Sequence, residues 1–184
     1  MWRTHLVYLV LAVLLGLTIA PPSTEAAPGA REYINRQYGF GFRYPDGWER
    51  QQQSYPGPKP VVVLGEPTPG GFGPSVNAIA DNRAASARVY AQDAADRIAR
   101  GMVPGLSDFL PDGAGSPVSI PGADGWVMRF SCYASNAGAR LWFYQLTVAR
   151  GSSIIVLTAT CPESQKARYS PVFRDIIASF RLTQ

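Results

Sequence analysis

The chain has 184 residues, of which 46% are hydrophobic, 11% aromatic and 16% charged, with a formal charge of +4 at pH 7. That apolar content excludes a disordered chain, and the two cysteines are too few for a disulfide-dense miniprotein. Beyond residue 26 the basic residues, mostly arginine, lie scattered from Arg31 to Arg181 without a run of five, so neither a nucleic-acid partner nor a polybasic membrane patch is signalled.

At the start, Arg3 precedes an apolar run from Leu6 to Ala20, followed by Pro21, Pro22 and the small residues around Ala26. This reads as a secretory signal over residues 1 to 26, cleaved after Ala26. The run is shorter than the roughly 20 residues a spanning helix needs, which makes an uncleaved anchor the weaker reading. No cysteine lies near the cleavage region, so bacterial lipidation has no acceptor there. Cleavage would also remove His5, the only histidine. Without it, Ser-His-Asp and Cys-His nucleophilic sites, imidazole bases and histidine zinc ligands are all excluded.

Residues 27 to 32 read as a flexible spacer and residues 33 to 184 as one domain. Tyr38, Phe40, Phe42 and Tyr44 alternate with glycine or Arg43, the pattern of a half-buried strand. Pro45-Asp46-Gly47 ends it in a turn and returns Trp48 to the aromatic face. Irregular loops at 51 to 60 and 67 to 74 flank a short strand at Val61 to Leu64, and a further strand follows at Ser75 to Ala80. Gly70, Gly71 and Gly73 precede Pro74 with no lysine, so no phosphate-binding loop is present. Ser86 is positioned to cap a helix running to about Gly101, with Tyr90, Ala94, Ile98 and Met102 along its core side.

Around a Gly/Pro-rich stretch from Pro111 to Pro121, one more short strand is expected near Asp108 to Ile120. Three strands then follow in succession, at about 125 to 133, 140 to 150 and 152 to 161. Their short connections at Asn136 to Gly138 and Arg150 to Ser152 permit only an antiparallel meander. The third carries Ile154-Ile-Val-Leu157, apolar on both faces, and so belongs at the centre of the sheet. Ser170-Pro171 reads as N-cap and first turn of a closing helix with Phe173, Ile176, Ile177 and Phe180 on its buried side. The class is α+β, an antiparallel sheet packed by helices on both faces.

Few residues carry chemistry. Cys132 and Cys161 are the disulfide candidates of an exported chain. The expected turns place both opposite Leu141 on either side of the middle strand, two spacings or roughly 9.6 Å apart. A disulfide requires about 4.4 to 6.8 Å, so pairing demands that both lie past the end of that strand, and it stays open. A catalytic thiol lacks a histidine or a close cation to activate it. Among carboxylates, Asp93 with Asp96, Asp108 with Asp112, and Asp81 are the nearest to a divalent-ion or acid–base grouping, and none has EF-hand spacing. Trp48, Trp126, Trp142 and Tyr144 read mainly as core, with some available to line a groove.

The opening Tyr33…Tyr38-Gly-Phe-Gly-Phe-Arg-Tyr-Pro-Asp-Gly-Trp48 resembles the start of PsbP-like domains, where an aromatic strand enters a Pro-x-x-Trp turn. Val156-Leu-Thr-Ala-Thr160 and the ending Ser179-Phe-Arg-Leu182 resemble their last strand and C-terminal helix. The resemblance spans about residues 33 to 182 and rests on structural motifs. It implies an α/β/α sandwich and a non-enzymatic role in binding other proteins, as in extrinsic subunits and assembly factors of photosystem II, exported bacterial proteins and a nuclear-import factor. Calcium enters by family analogy alone, with no matching ligand motif; no cofactor is expected. The function expected is an exported domain that binds or helps assemble a membrane-associated complex, photosystem II if the host is photosynthetic. The compartment would be periplasm, cell exterior or thylakoid lumen. The alternative is an extracytoplasmic carrier or sensor of a small ligand or metal ion.

Overall fold

The structure, a computed structural model, describes residues 29–51, 60–68 and 72–183. The leader expected at 1 to 26 and most of the loop at 51 to 60 lie outside the described residues. Strand β1 (Ala30–Asn35) begins inside the stretch read as spacer and pairs antiparallel with β2 (Phe40–Pro45). Gly47, at φ 84°, takes the left-handed conformation that the turn after β2 requires. β2 in turn pairs with β11 (Arg181–Leu182), closing a three-stranded sheet that stands apart from the main one.

The main sheet comprises β3 (Glu49–Arg50), β4 (Val62–Gly65), β5 (Ser75–Asp81), β6 (Leu106–Pro111), β7 (Ser116–Ile120), β8 (Ala123–Ala134), β9 (Ala139–Arg150) and β10 (Ser153–Pro162). Its order is β3-β4-β5-β10-β9-β8-β6, with β7 paired to the other half of β8. The expected meander is therefore β8-β9-β10, and the doubly apolar β10 is central between β5 and β9. Where one short strand was expected between the first helix and the meander there are two, which share the outer edge of β8.

Helix α1 (Ala87–Ala99) covers one face of this sheet and α2 (Lys166–Ala178) the other. Ser86 caps α1 by accepting from the Val89 N–H at 3.3 Å, and the Asp124 carboxylate of β8 accepts from the Ala87 N–H at 2.7 Å. The buried side of α1 is Ala87, Ala91 and Ile98, and Met102 is 57% exposed. A spacing of four drifts about 40° per step against 3.6 residues per turn, which carries Met102 off the face Tyr90 starts.

α2 begins earlier than Ser170-Pro171 implies, at Lys166 after a 3-10 turn over Glu163–Gln165, so Pro171 lies inside it. Pro171 and Ala167 are both exposed, so the Ala167 carbonyl that Pro171 cannot serve faces water. Beneath α2 lies one continuous cluster. Phe173 stacks on Trp142 with centroids 5.7 Å apart and meets Trp48 edge-on, while the small sheet adds Phe40, Phe42 and Phe180.

Candidate functional site

The register of the meander decides the cysteines first. Cys132 pairs with Leu141, whereas Cys161 pairs with Trp142, one residue along β9. Successive residues of a strand point to opposite faces, so the thiols lie on opposite sides of the sheet. Cys132 packs with Ile98 and Phe130 near α1, and Cys161 joins the aromatic cluster under α2. Both are free and fully buried. Burial pushes the Cys132 thiol up to about 11, the nearby Arg140 pulling weakly the other way, and the Cys161 thiol up to about 12. Both are neutral at pH 7 and poor nucleophiles.

The carboxylate groupings do not assemble. Asp93 turns to Arg83 at 3.6 Å, Asp96 to Arg100 at 4.0 Å, and Asp81 accepts from the Tyr90 hydroxyl at 3.2 Å. Asp108 accompanies Arg140 at 3.9 Å. Among the described residues no three of His, Cys, Asp and Glu converge as metal ligands.

Around the start of α2 the ionic groups form a belt that ties the sheet to the helix. Asp112 accepts from Lys166 and from the Trp142 indole N–H, each at 2.9 Å. The Lys166 hydrogen bond, followed by that from Trp142, holds the Asp112 carboxyl below its ordinary value. Ser131 donates to Glu163 at 2.6 Å, and Arg140 bridges Glu163 and Asp108. Tyr169 donates to Glu66; burial first, and then this bond, push its phenol up to about 12.

Beside this belt, at the edge strand β6, Leu110 is 55% exposed and Tyr133 of β8 39% exposed. A break in register between Ser107 and Leu110, with Asp108 at φ 52°, turns this edge. Two exposed apolar side chains thus sit beside Arg140, Glu163 and Asp108 on an open sheet edge.

A second opening lies on the α1 face, past the helix end. α1 stops at Ala99 and the chain crosses at Val103 to Leu106, leaving a cavity of about 290 Å³. Leu141 and Phe143 of β9, with Val103 and Leu106, form apolar walls, and Asn77 of β5 and Thr160 of β10 supply polar groups. No ionisable side chain is among its described lining residues. Sequence reasoning missed this place. Its signal was present in Asn77 inside the apolar Ser75 to Ala80 strand, and in Thr158 and Thr160 alternating along the otherwise apolar β10.

The aromatic candidates are mostly packing. Trp48 and Trp142 are buried against Phe173, Tyr144 lies beside Trp142 under Arg129, and Trp126 is half-buried under Arg88. None of the four lines the cavity.

No protein-family model matches the chain, and no curated protein matches it in sequence. Solved structures do share its fold. Cyanobacterial PsbP (CyanoP) from Synechocystis matches with a TM-score of 0.62 at 11% identity, covering 89% of this chain and 98% of that one. LpqN, involved in cell envelope biogenesis of Mycobacterium tuberculosis, matches at 0.54 with 20% identity over 86% and 87% of the two chains. The Saccharomyces cerevisiae Ran-binding protein Mog1p matches at 0.55 with 7% identity over 85% and 96%. At such identities the likeness is one of fold, and that fold is the PsbP-like α+β arrangement that the aromatic opening and the closing strand and helix point to.

Proposed function

We propose that this chain is an exported, non-enzymatic PsbP-like domain that binds another protein, as a peripheral component or assembly factor of a membrane-associated complex. The observation that carries the reading is the fold, held over nearly the whole chain in common with PsbP and with a Ran-binding protein. Export rests on the leader-like residues 1 to 26. Among the described residues no helix is long and apolar enough to cross a membrane, which agrees with a peripheral attachment. A non-catalytic role is supported by the buried neutral thiols and by carboxylates engaged one by one in ion pairs. No cofactor is invoked, and calcium has only analogy behind it. In a photosynthetic host the complex would be photosystem II.

The contact surface we assign is the β6 edge, where Leu110 and Tyr133 form an apolar centre and Arg140, Glu163 and Asp108 a charged rim. The test is crosslinking of the purified protein to membranes of its native source, alongside a Leu110→Glu variant. One membrane complex captured by the wild type and lost with the variant is the expected result. Capture of no complex by either protein overturns the binding role, and equal capture by both overturns the β6 surface.

A further inference from the structure

We infer that the cavity at the open end of the α1 face is a binding site for a compact neutral molecule with an apolar body and one amide-like or alcohol-like head group. Two observations meet there. The first is space: about 290 Å³ bounded by Leu141, Phe143, Val103 and Leu106. A cavity of about 150 Å³ holds benzene, so by proportion this one takes roughly a dozen non-hydrogen atoms.

The second is a pair of largely buried polar side chains whose polar atoms open onto that space, with no hydrogen bond from a described residue. Asn77 is 9% exposed and Thr160 only 4%, yet among the described residues neither side chain has a hydrogen-bond partner. Their neighbours show that this is not forced by the row they occupy. Thr158, directly opposite Asn77, accepts from Gln145 at 3.1 Å, so the pairing stops one strand short of Asn77. Solvent in the cavity reaches these atoms, so a ligand head group seated there replaces water with direct hydrogen bonds to a pre-placed amide and hydroxyl.

Asn77 and Thr160 lie diagonally across the β5–β10 ladder on the same face of the sheet. An amide offers both a donor and an acceptor, and a hydroxyl does the same, so the complementary head group is neutral and carries both. A charged ligand would enter without a counter-ion among the described residues, none of whose ionisable side chains lines the space. The apolar walls fit a flat or branched hydrocarbon body, with Phe72 and Phe143 as the aromatic contacts. The site meets β6 at Leu106 but lies on the opposite face of the sheet from Leu110 and Tyr133, and its test needs no partner protein.

The experiment titrates the full chain with 2-naphthamide, followed by calorimetry and by the side-chain amide resonance of Asn77. Its controls are 2-naphthoate, of the same size but charged, and the variants Asn77→Leu and Thr160→Val. Saturable binding below millimolar is expected, with the Asn77 resonance shifting. Asn77→Leu should weaken binding at least ten-fold and Thr160→Val at least three-fold, and 2-naphthoate should bind at least ten-fold more weakly. Asn77→Leu without ligand should melt within a few degrees of the wild type, since it breaks no hydrogen bond to a described residue. Should that variant fail to fold, the isosteric Thr160→Val decides. No saturation, which would mean that the cavity holds water alone, overturns the proposal. So does binding that ignores these variants or does not distinguish the naphthoate.

Discussion

The two faces of the main sheet are covered by helices of the same length, 13 residues each, yet the buried apolar contacts form one continuous cluster on one face and two separate clusters on the other. A 13-residue helix spans about 20 Å, whereas a 12-residue strand such as β9 runs about 40 Å, so neither helix alone can roof its face. On the α2 face the small sheet makes up the difference, adding Phe40, Phe42 and Phe180 to the Trp142–Phe173 stack. On the α1 face nothing equivalent is present among the described residues. There the apolar contacts split into one cluster around Ile154 and Val156 and another around Phe130 and Cys132. Gln145, Thr158 and Asn77 cross between them as a polar row. The α2 face keeps its core continuous and has its open space, about 420 Å³, at the rim between α2 and β7, whereas on the α1 face the break in the core itself opens about 290 Å³ onto Asn77 and Thr160.

The sharpest way to break this comparison is to delete an aromatic ring from each face. Phe173→Ala removes a fully buried ring in contact with Trp48, Trp142 and Tyr169, and should cost about 3 to 5 kcal/mol in urea unfolding. Phe143→Ala removes a half-buried ring stacked on Phe130 at 4.8 Å beside an existing cavity, and should cost about half as much. Equal costs would mean that the α1 face is as tightly packed as the other.

A smaller effect is expected where the belt joins the α2 face to the edge of the sheet. Asp112→Ala removes the acceptor of both Lys166 and the Trp142 indole, and leaves that indole N–H buried without a partner. The expected loss is about 1 to 2 kcal/mol by urea unfolding. The folded carboxyl titrates below its ordinary value, so its stabilisation is complete above about pH 4 and fades as acid protonates it through the lowered folded value. The variant should therefore lose part of the wild type's decline in stability below pH 4, and an unchanged acid profile would separate Asp112 from that decline.

The α2 face was the more legible of the two in the sequence. Phe40 and Phe42 alternate with small or polar neighbours, and Phe173, Ile176 and Ile177 repeat at helical spacing, so period alone identifies the buried side of each element. The start of α2 was misread because Ser170-Pro171 imitates a helix N-terminus, and only the exposure of Pro171 shows why a proline is tolerated inside. The α1 face resisted for another reason. The side of α1 that packs is alanine-rich, and alanine carries little hydrophobic contrast, so the larger Tyr90 and Met102 drew the stripe away from Ala87 and Ala91. The cavity needed three dimensions: Asn77 and Thr160 are 83 positions apart and meet only through the pairing of β5 with β10.

The cysteines turn on a single residue of register and give the smallest effect. Both fall near Leu141 by turn counting, but Cys161 is paired with Trp142, and that one-residue offset sends the two thiols into different clusters. They also stand on either side of β9, about two strand spacings apart, so even a slipped register would leave them beyond disulfide reach and oxidation should create no intramolecular bond in the native protein. Alkylation of the folded chain should be slow and equal with and without prior reductant, and a two-dalton mass difference lost on reduction would overturn the register. The raised folded values also set a pH signature. Below about pH 9 both folded and unfolded thiols are protonated and the pair has no effect on the balance. Above it the unfolded chain loses its thiol protons while the folded chain keeps them up to about 11 and 12, so stability falls across that window. Cys161→Ala should flatten this alkaline decline in melting temperature more than Cys132→Ala, because the Arg140 charge partly offsets the burial of Cys132 and no such charge offsets that of Cys161.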